Sequence, residues 1–340
     1  MNYLIFRTDR IGDFLITLPL IKSIKRNKPD SKIFVVTSPK NKEFIESNIF
    51  VDDIFVLKKN DFHNKIKLYL QLRKFFFEAI IVSDKKNRSL LITLLLKSRI
   101  KIFNTSKYNQ KKILSYFFKN VFVDNDDLKN ISKSDINKKN CKSLGMKLNE
   151  GDYKFFSKNQ FINNYNYNDQ FDLDQNDYIV FHYDEKWEVD NYAKLFRKAK
   201  NFTKIEIDLK MFQKFLKEIE NIKKIKTIVT TGFIDTNLVS QLKDKSERLI
   251  SSFYKINNNS FLITNQNFNS ISHLISKSKI FISCHGAFTH IAANYNIKIL
   301  DIIEKSKKHH YSRITNHMKN YISLNRNNFD VLKKDIINLI

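Results

Sequence analysis

Three short polar stretches of the chain carry residue types that can do chemistry, and each follows an apolar run. They lie at residues 7–13, 182–187 and 283–293, and together they contain carboxylates, arginines, a lysine, histidines and glycines. A carboxylate can act as a general base, whereas lysine, histidine and free backbone N–H groups can bind phosphate. The sequence therefore predicts proton abstraction at the first stretch and phosphate binding at the other two.

The first stretch contains Asp13 directly after Gly12, with Arg7 and Arg10 close by. A buried strand is predicted before it and a helix over residues 15–24 after it, because the apolar runs have the lengths typical of these elements. Asp13 could take the proton of an acceptor hydroxyl. It could equally cap or charge the first helical turn, which stabilises a helix by about 0.5–2 kcal/mol. Both roles remain open at this stage.

The other two stretches are predicted to bind anions. Lys186 lies in a loop between a predicted strand and a helix, where its charge can reach a phosphate, while Trp187 is expected to anchor that loop in the core. Gly286 opens a predicted helix over residues 287–295, with His290 one turn in. Free N–H groups and the positive end of the helix dipole meet at such a turn, which makes it a candidate diphosphate site.

Other chemistries are disfavoured by spacing. His285 and His290 are five residues apart and do not share a helical face, so no metal site is predicted. Cys141 and Cys284 have no CxxC or Cys/His spacing, and Cys284 is expected to pack rather than to act as a nucleophile. The absence of GxGxxG and GxxxxGK[ST] motifs disfavours nicotinamide enzymes and P-loop NTPases.

The composition indicates a globular protein of two domains. The chain has 340 residues, 60 Lys and Arg against 35 Asp and Glu, and a formal net charge of +25. Because the lysines are spread along the chain, this charge indicates a general attraction to anions rather than a nucleic-acid-binding arm. No secretory signal and no apolar run of about 20 residues is present, so we expect a cytoplasmic protein with at most peripheral membrane contact.

Strands alternate with helices in both halves, which predicts an α/β protein with two Rossmann-like, doubly wound domains facing a central cleft. The pattern weakens between residues 124 and 175, and the stretch 159–175, rich in Asn, Asp and Tyr, is the candidate linker. We therefore expect an N-terminal acceptor-binding domain at 1–165 and a C-terminal nucleotide-sugar domain at 176–326. A final helix at 327–340 is expected to pack back on the first half.

The motifs resemble glycosyltransferase family 9, the ADP-heptose:lipopolysaccharide heptosyltransferases. Residues 7–38 are similar to the opening of that family, in which an IGD turn precedes an apolar helix with a Thr-Leu-Pro step. Lys186 and Trp187 are similar to its Lys–Trp loop. The segment HGAFTHIAANYNIKILDI at 285–302 is similar to its D-[ST]-G-x-x-H-[LI]-A-A segment, whereas residues 40–175 match only in general pattern.

The resemblance implies a GT-B fold and metal-independent, inverting sugar transfer. It implies that Asp13 is the catalytic base and that Lys186 binds the donor phosphate. It also implies that Gly286 and His290 form the diphosphate-binding turn, and that Asp235 stands where the family has a glutamate contacting the nucleoside. The expected enzyme is a hexosyl- or heptosyltransferase that needs no cofactor.

Two departures bear on the donor. The Asp-Thr/Ser-Gly of the family is Cys284-His285-Gly286 in this chain, and His290 stands one residue further from the glycine. His285 is therefore placed on the donor side of the site. ADP-heptose is the first expected donor, and a different nucleotide or sugar remains open.

The expected partners follow from charge and resemblance. Arg7, Arg10 and Gly12 are placed on the acceptor side, and positive charge suits an anionic glycolipid, such as lipopolysaccharide core, at the inner membrane face. Two alternatives remain: the same fold with another donor or reaction, such as a nucleotide-sugar epimerase, and a non-catalytic basic protein that binds anions or nucleic acid. The absence of a clustered basic helix or of RNP-like aromatics counts against nucleic acid.

Overall fold

The computed structural model divides into two compact units, Met1–Phe155 and Phe156–Ile340. The residues it describes are 1–105, 114–118, 120–123, 131–156, 178–232 and 234–340. The predicted linker at 159–175, with the break expected between residues 165 and 176, lies outside the described residues. The division found in the structure falls earlier, after Phe155.

The first unit is an alternation of strands and helices, as predicted. Its elements are β1 (Asn2–Arg7), α1 (Ile11–Asn27), β2 (Lys32–Thr37), α2 (Lys42–Glu46), β3 (Asp53–Val56), α3 (Phe62–Leu72), β4 (Phe77–Val82), α4 (Asn87–Leu95), β5 (Ser98–Thr105), β6 (Asn120–Val123) and α5 (Lys133–Ser143). The described strands form a parallel sheet in the order β3-β2-β1-β4-β5-β6. This is the order of a doubly wound Rossmann sheet.

The strand order reverses between β1 and β4 of the first unit. The chain moves outward through β2 and β3, and then returns to place β4 on the other side of β1. Loops that follow two such strands diverge to opposite faces of the sheet and leave a crevice, which is the usual ligand site of this class of fold. The loop that follows β1 contains Thr8, Asp9 and Arg10, and the loop that follows β4 contains Asp84.

The second unit repeats this architecture with a larger sheet. Its elements are β7 (Tyr178–Tyr183), α6 (Val189–Leu195), α7 (Leu209–Lys223), β8 (Lys226–Thr231), α8 (Asn237–Lys245), β9 (Glu247–Ile250), β10 (Phe253–Lys255), β11 (Ser260–Ile263), α9 (Phe268–Lys277), β12 (Ile280–Cys284), α10 (Ala287–Asn294), β13 (Lys298–Ile303), α11 (Lys308–Thr315), β14 (Tyr321–Asn325) and α12 (Phe329–Leu339). The strand order in the described residues is β14-β13-β12-β7-β8-β11-β10-β9.

Most of this second sheet is parallel, and only β10 pairs antiparallel, with both β9 and β11. The order reverses between β7 and β12, which lie side by side with Ile179 opposite Ile280. The second candidate ligand site is therefore expected where these two strands end. The phosphate-binding stretches predicted from the sequence follow β7 and β12 directly.

The C-terminal helix α12 packs against the core of the second unit. Phe329, Leu332 and Ile336 are buried there, and the ring of Phe329 meets that of Phe215 edge-on at 5.4 Å. The expectation that this helix also packs back on the first half stays a prediction. Among the described helices of both units, none is long and apolar enough to cross a bilayer.

Candidate functional site

The switch point of the second unit brings the two predicted phosphate-binding stretches together. Gly286 is the N-cap residue of α10, and its backbone is extended (φ −165°). A methyl group in place of its hydrogen would lie 3.1 Å from the Lys186 Nζ atom. The ammonium group of Lys186 is therefore held over the N-terminal turn of α10, where free N–H groups and the helix dipole also favour an anion.

Asp184 holds this ammonium group in place. Its carboxylate is buried, accepts a hydrogen bond from Lys186 Nζ through Oδ2 and accepts another from the Lys186 backbone N–H through Oδ1 at 3.1 Å. Burial alone would lower the pKa of Lys186, but the adjacent carboxylates of Asp184 and Glu185 raise it above its ordinary value. Lys186 is therefore charged at neutral pH.

Gly232 directly follows β8, and because it has no side chain, the loop that contains Asp184 and Glu185 can pack against it. A Cβ atom at Gly232 would lie 2.6 Å from Glu185 Oε2 and 2.9 Å from Asp184 Cβ. Burial and the neighbouring Asp184 raise the pKa of Glu185. The loop after β7 thus depends on the absence of a side chain at the end of β8.

Arg326, which follows β14, holds the loop that contains Lys186 against the sheet through hydrogen bonds. Its guanidinium donates hydrogen bonds to the backbone oxygens of Lys186 (2.8 Å), Trp187 (3.3 Å) and Thr203 (2.9 Å). Trp187 is fully buried, as expected of an anchor. Arg326 also approaches the Sγ of Cys284 at 3.4 Å.

Cys284 is a packing residue. It is buried in the core of the second unit, and burial raises the pKa of its thiol to about 12. A thiol that stays protonated at neutral pH is a poor nucleophile.

His285 is fixed by a buried carboxylate on the neighbouring strand. Asp301, in β13, is fully buried, and its Oδ2 lies 2.6 Å from His285 Nδ1 and accepts from Tyr321 O–H at 2.8 Å. The Thr289 hydroxyl donates to the other oxygen of Asp301 at 3.5 Å, and the oxygen of this hydroxyl accepts a hydrogen bond from the Gly286 backbone N–H at 3.2 Å. A carboxylate acceptor assigns the proton to Nδ1 and sets the orientation of the ring.

His290 lies one turn into α10, beside His285. Their ring centres are 5.7 Å apart and meet edge-on. Burial, followed by the nearby His285 and His317, lowers the pKa of His290 well below its ordinary value. His290 is therefore a neutral imidazole, which can still donate one N–H hydrogen bond.

In the first unit, Arg7 organises the predicted acceptor-side loop. Its side chain is buried, and it donates from Nε to the Asp13 backbone oxygen (2.8 Å) and from Nη1 to the Ser83 backbone oxygen (2.5 Å). It also forms ion pairs with Asp9 Oδ1 at 3.4 Å and with Asp13 Oδ1 at 3.7 Å. Arg10 lies on the exposed surface of the same loop.

Asp13 is the third residue of α1, and its carboxyl side chain is 37% exposed. The N-cap residue of the helix is Arg10, and no side chain caps that end. Asp13 thus places a negative charge in the first turn of the helix without capping it. Because its side chain is exposed, Asp13 could still act as a base. Gly12 is the second residue of the same helix.

Asp9 is a second carboxylate in this loop, and the sequence analysis gave it no role. Burial, with the nearby Asp13 and Asp84, raises its pKa to about 6 despite the attraction of Arg7. Asp84 in turn accepts hydrogen bonds from Thr8 O–H (2.5 Å) and Ser89 O–H (2.7 Å). The loops after β1 and β4 are therefore joined through buried polar contacts at the switch point.

Among the described residues, no contact joins Asp235 to Lys186 or to the residues around it. Its side chain is half exposed and pairs with Lys243 of α8 at 2.7 Å. The contact with a nucleoside implied by the resemblance stays a prediction. No group of three or more His, Cys, Asp or Glu side chains within the described parts of the chain could hold a metal ion.

The solved structures that resemble the whole chain include two transferases and an epimerase. The E. coli heptosyltransferase WaaC with ADP is 14% identical with a TM-score of 0.67, and each chain covers the other completely. The glycosyl transferase family 9 structure from Veillonella parvula is 14% identical with a TM-score of 0.65, with 100% of this chain and 90% of that one covered. The UDP-GlcNAc 2-epimerase from Methanocaldococcus jannaschii is 13% identical with a TM-score of 0.55, with 100% and 92% covered.

These likenesses confirm the predicted fold class, an α/β protein of GT-B type with two Rossmann-like units. The chain matches no protein-family model and no curated protein. At these identities the structural similarity establishes the fold, and the fold is shared by enzymes of more than one reaction class. Function must be argued from the sites.

Proposed function

We propose that the protein is a glycosyltransferase that moves a sugar from a nucleotide-diphospho-sugar to a hydroxyl acceptor. The observation that carries the proposal is the position of the Lys186 ammonium group over Gly286 at the N-terminus of α10. A diphosphate that accepts hydrogen bonds from the free N–H groups of this turn would lie next to a fixed cation. Similarity in fold to heptosyltransferases supports the same assignment.

The chemistry follows from the charge on the leaving group. As the bond between the sugar and the diphosphate breaks, the diphosphate gains negative charge. Donors already fixed in place stabilise such charge in the transition state without reorganising. Lys186, held by Asp184, and the N–H groups of the α10 turn would supply this stabilisation, and His285 and His290 would add hydrogen bonds. We propose that transfer needs no metal ion.

The acceptor would bind to the first unit. Asp13 would take the proton of the acceptor hydroxyl while the oxygen of that hydroxyl bonds to the anomeric carbon and the bond from this carbon to the diphosphate breaks. This single displacement would invert the anomeric centre. Arg10, exposed on the same loop, would face negative charge on the acceptor. We propose an anionic glycolipid acceptor of the lipopolysaccharide-core type, reached at the inner membrane face by a cytoplasmic enzyme, with heptose from ADP-heptose as the first candidate sugar.

A ligand screen tests the donor. ADP-, GDP-, UDP- and CMP-sugars are added separately, and the melting temperature is measured. A true donor at 100 times its Kd should stabilise the protein by about 2.7 kcal/mol. The stabilisation should be lost in Lys186→Met, compared with the melting temperature of that variant without ligand, and kept in Lys194→Met, an exposed lysine of α6. The absence of a shift with every nucleotide-sugar would overturn the proposal.

An epimerase acting on a nucleotide-sugar is the second candidate, because the chain also shares its fold with a UDP-GlcNAc 2-epimerase. An epimerase would change the sugar of the bound donor without any acceptor. Incubation of the stabilising nucleotide-sugar alone, followed by analysis of the sugar, separates the two reactions. An altered sugar that stays attached to the nucleotide would favour the epimerase.

A further inference from the structure

Helix α3 of the first unit carries apolar side chains on two opposite faces. Leu68 and Leu72 point inward and are buried in the core. Phe62, Ile66 and Leu70 recur every four residues on the outward face, and they are 68%, 43% and 45% exposed. A surface helix normally has one apolar stripe, directed at the core, with polar residues opposite. Packing against the core therefore does not account for the outer apolar stripe of α3.

Helix α4 also carries exposed apolar side chains. Its Ile92 packs in the same core cluster as Leu68 and Leu72, so both helices cover the same face of the sheet, and they are in contact. Leu91 and Leu95, one turn apart, are 62% and 65% exposed. We call the outward side chains Phe62, Ile66, Leu70, Leu91 and Leu95 the outer apolar face.

Basic side chains surround the outer apolar face. Lys67 and Lys74 line a groove on α3 together with Ile66 and Leu70. Further exposed lysines stand at the ends of the two helices: Lys58 and Lys59 before α3, Lys86 before α4 and Lys97 after it. Of the acidic residues in this part of the chain, Asp61 caps α3 and pairs with Lys58 at 3.8 Å, Glu78 pairs with Arg99, and Asp84 is buried between Thr8 and Ser89.

We infer that the outer apolar face is a docking surface for an anionic lipid bilayer. Exposed aromatic and aliphatic residues on one side of a helix, flanked by lysines, are the features that place a helix in the headgroup region of a membrane. The apolar side chains would enter the acyl boundary, and the lysines would pair with lipid phosphates. The inference assigns residues to the membrane contact proposed above for a glycolipid-modifying enzyme.

Vesicle co-sedimentation tests the inference with the full chain. Vesicles of phosphatidylglycerol and phosphatidylcholine in equal parts should bind the protein, and binding should weaken as salt is added; phosphatidylcholine alone should bind much less. The combined variant Phe62→Ser, Ile66→Ser and Leu70→Ser should weaken binding to the mixed vesicles by about tenfold or more. Its melting temperature should not fall, because the three side chains are exposed.

A matched control and two further measurements make the result decisive. Ile222→Ser with Ile250→Ser removes exposed apolar side chains of the second unit and should leave binding unchanged. Equal loss in this control, or no binding to the mixed vesicles, would overturn the inference. A dimer in sedimentation velocity that only the α3 variant abolishes would assign the face to a second copy instead. The donor-induced rise in melting temperature should be the same in all variants, so failure of the proposed function is distinguishable.

Discussion

Asp9 and Asp13 lie on either side of the Arg7 guanidinium, and their surroundings differ. The Asp9 side chain is 21% exposed and its pKa is raised to about 6, whereas the Asp13 side chain is 37% exposed on the first turn of α1. A base must reach the hydroxyl that it deprotonates, so exposure favours Asp13 for catalysis. The partial burial of Asp9 instead means that its ionisation destabilises the folded protein.

Asp13→Asn should lower the rate of sugar transfer by about 10²–10⁴-fold, the usual contribution of a general base. The amide keeps the size of the side chain but cannot take the proton. Donor affinity should be unchanged, because the donor is proposed to bind the second unit. Steady-state rates and donor-induced melting shifts, measured on the same preparation, check both parts. Retained turnover would refute the assignment of Asp13.

Asp9→Asn should stabilise the protein at pH 7. The folded-state pKa of Asp9 lies above the ordinary value of 3.8, so the folded protein binds the proton more tightly than the unfolded chain, and ionisation destabilises the fold as pH rises from about 4 through 6. Removing the charge should therefore raise the free energy of unfolding at pH 7 by at most about 3 kcal/mol. The gain should shrink towards zero as the pH falls to about 4.

Urea unfolding at both pH values checks this behaviour. Asp30→Asn, which changes an exposed carboxylate in the loop between α1 and β2, serves as the control and should produce no comparable gain. A loss of stability in Asp9→Asn at pH 7 would mean that the ion pair of Asp9 with Arg7 outweighs the cost of burial.

Only some of the residues around Lys186 could be predicted from the sequence, and the reason is physical. Lys186 and Gly286 each follow an apolar strand, and this position alone marks them as candidate site residues. Arg326 and Asp301 act through partners that are distant in the sequence, which no local pattern shows. Asp301 did carry a signal, since a lone carboxylate within the apolar strand KILDII must be buried with a partner.

At the scale of elements, two glycines at strand ends serve different purposes. A Cβ atom at Gly232 would meet Asp184 Cβ at 2.9 Å, close to the backbone of the neighbouring loop. A Cβ atom at Gly286 would lie 3.1 Å from the Lys186 Nζ atom and 3.7 Å, an ordinary contact distance, from the Cys284 backbone oxygen, and the extended backbone of Gly286 suits any residue. Gly232 is therefore needed for packing, whereas we propose that Gly286 leaves room for the ligand.

Gly232→Ala should destabilise the second unit by about 1–3 kcal/mol, as overpacking usually does, because the loop after β7 must move. Gly286→Ala should cost about 1 kcal/mol or less and should instead weaken donor binding by displacing the ammonium group. Unfolding measurements and donor titrations on the two variants give the comparison. The reverse order of the two stabilities would contradict these roles.

Periodicity predicted most of the parallel strands and the helices between them, since a buried strand and an amphipathic helix leave clear patterns. It missed β14 (YISLN) and α11 (KHHYSRIT). The strand lies at the edge of its sheet with most residues only partly buried, and the helix has a single buried residue, Thr315. Elements with so little buried surface leave a weak pattern in the sequence.

At the scale of the whole molecule, the two units should respond differently to acid. In the second unit, burial lowers the pKa of His182 and of His317 to about 4, and lowers that of His290 well below its ordinary value. Each is neutral in the folded protein and takes up a proton on unfolding below about pH 6.5. In the first unit, Asp9 has the opposite effect. The formal net charge is already +25, so added protons also increase repulsion.

We expect the second unit to lose stability as pH falls from 6.5 towards 4, by about 1.4 kcal/mol per pH unit for each histidine that is protonated only when unfolded. Hydrogen exchange read by mass spectrometry at pH 7 and pH 5 should localise the loss to peptides of this unit. His317→Gln should reduce the pH dependence, because glutamine takes up no proton. His63→Gln, at an exposed histidine of the first unit, should not. Equal loss of protection in both units would show that total charge, rather than the buried histidines, controls the response to acid.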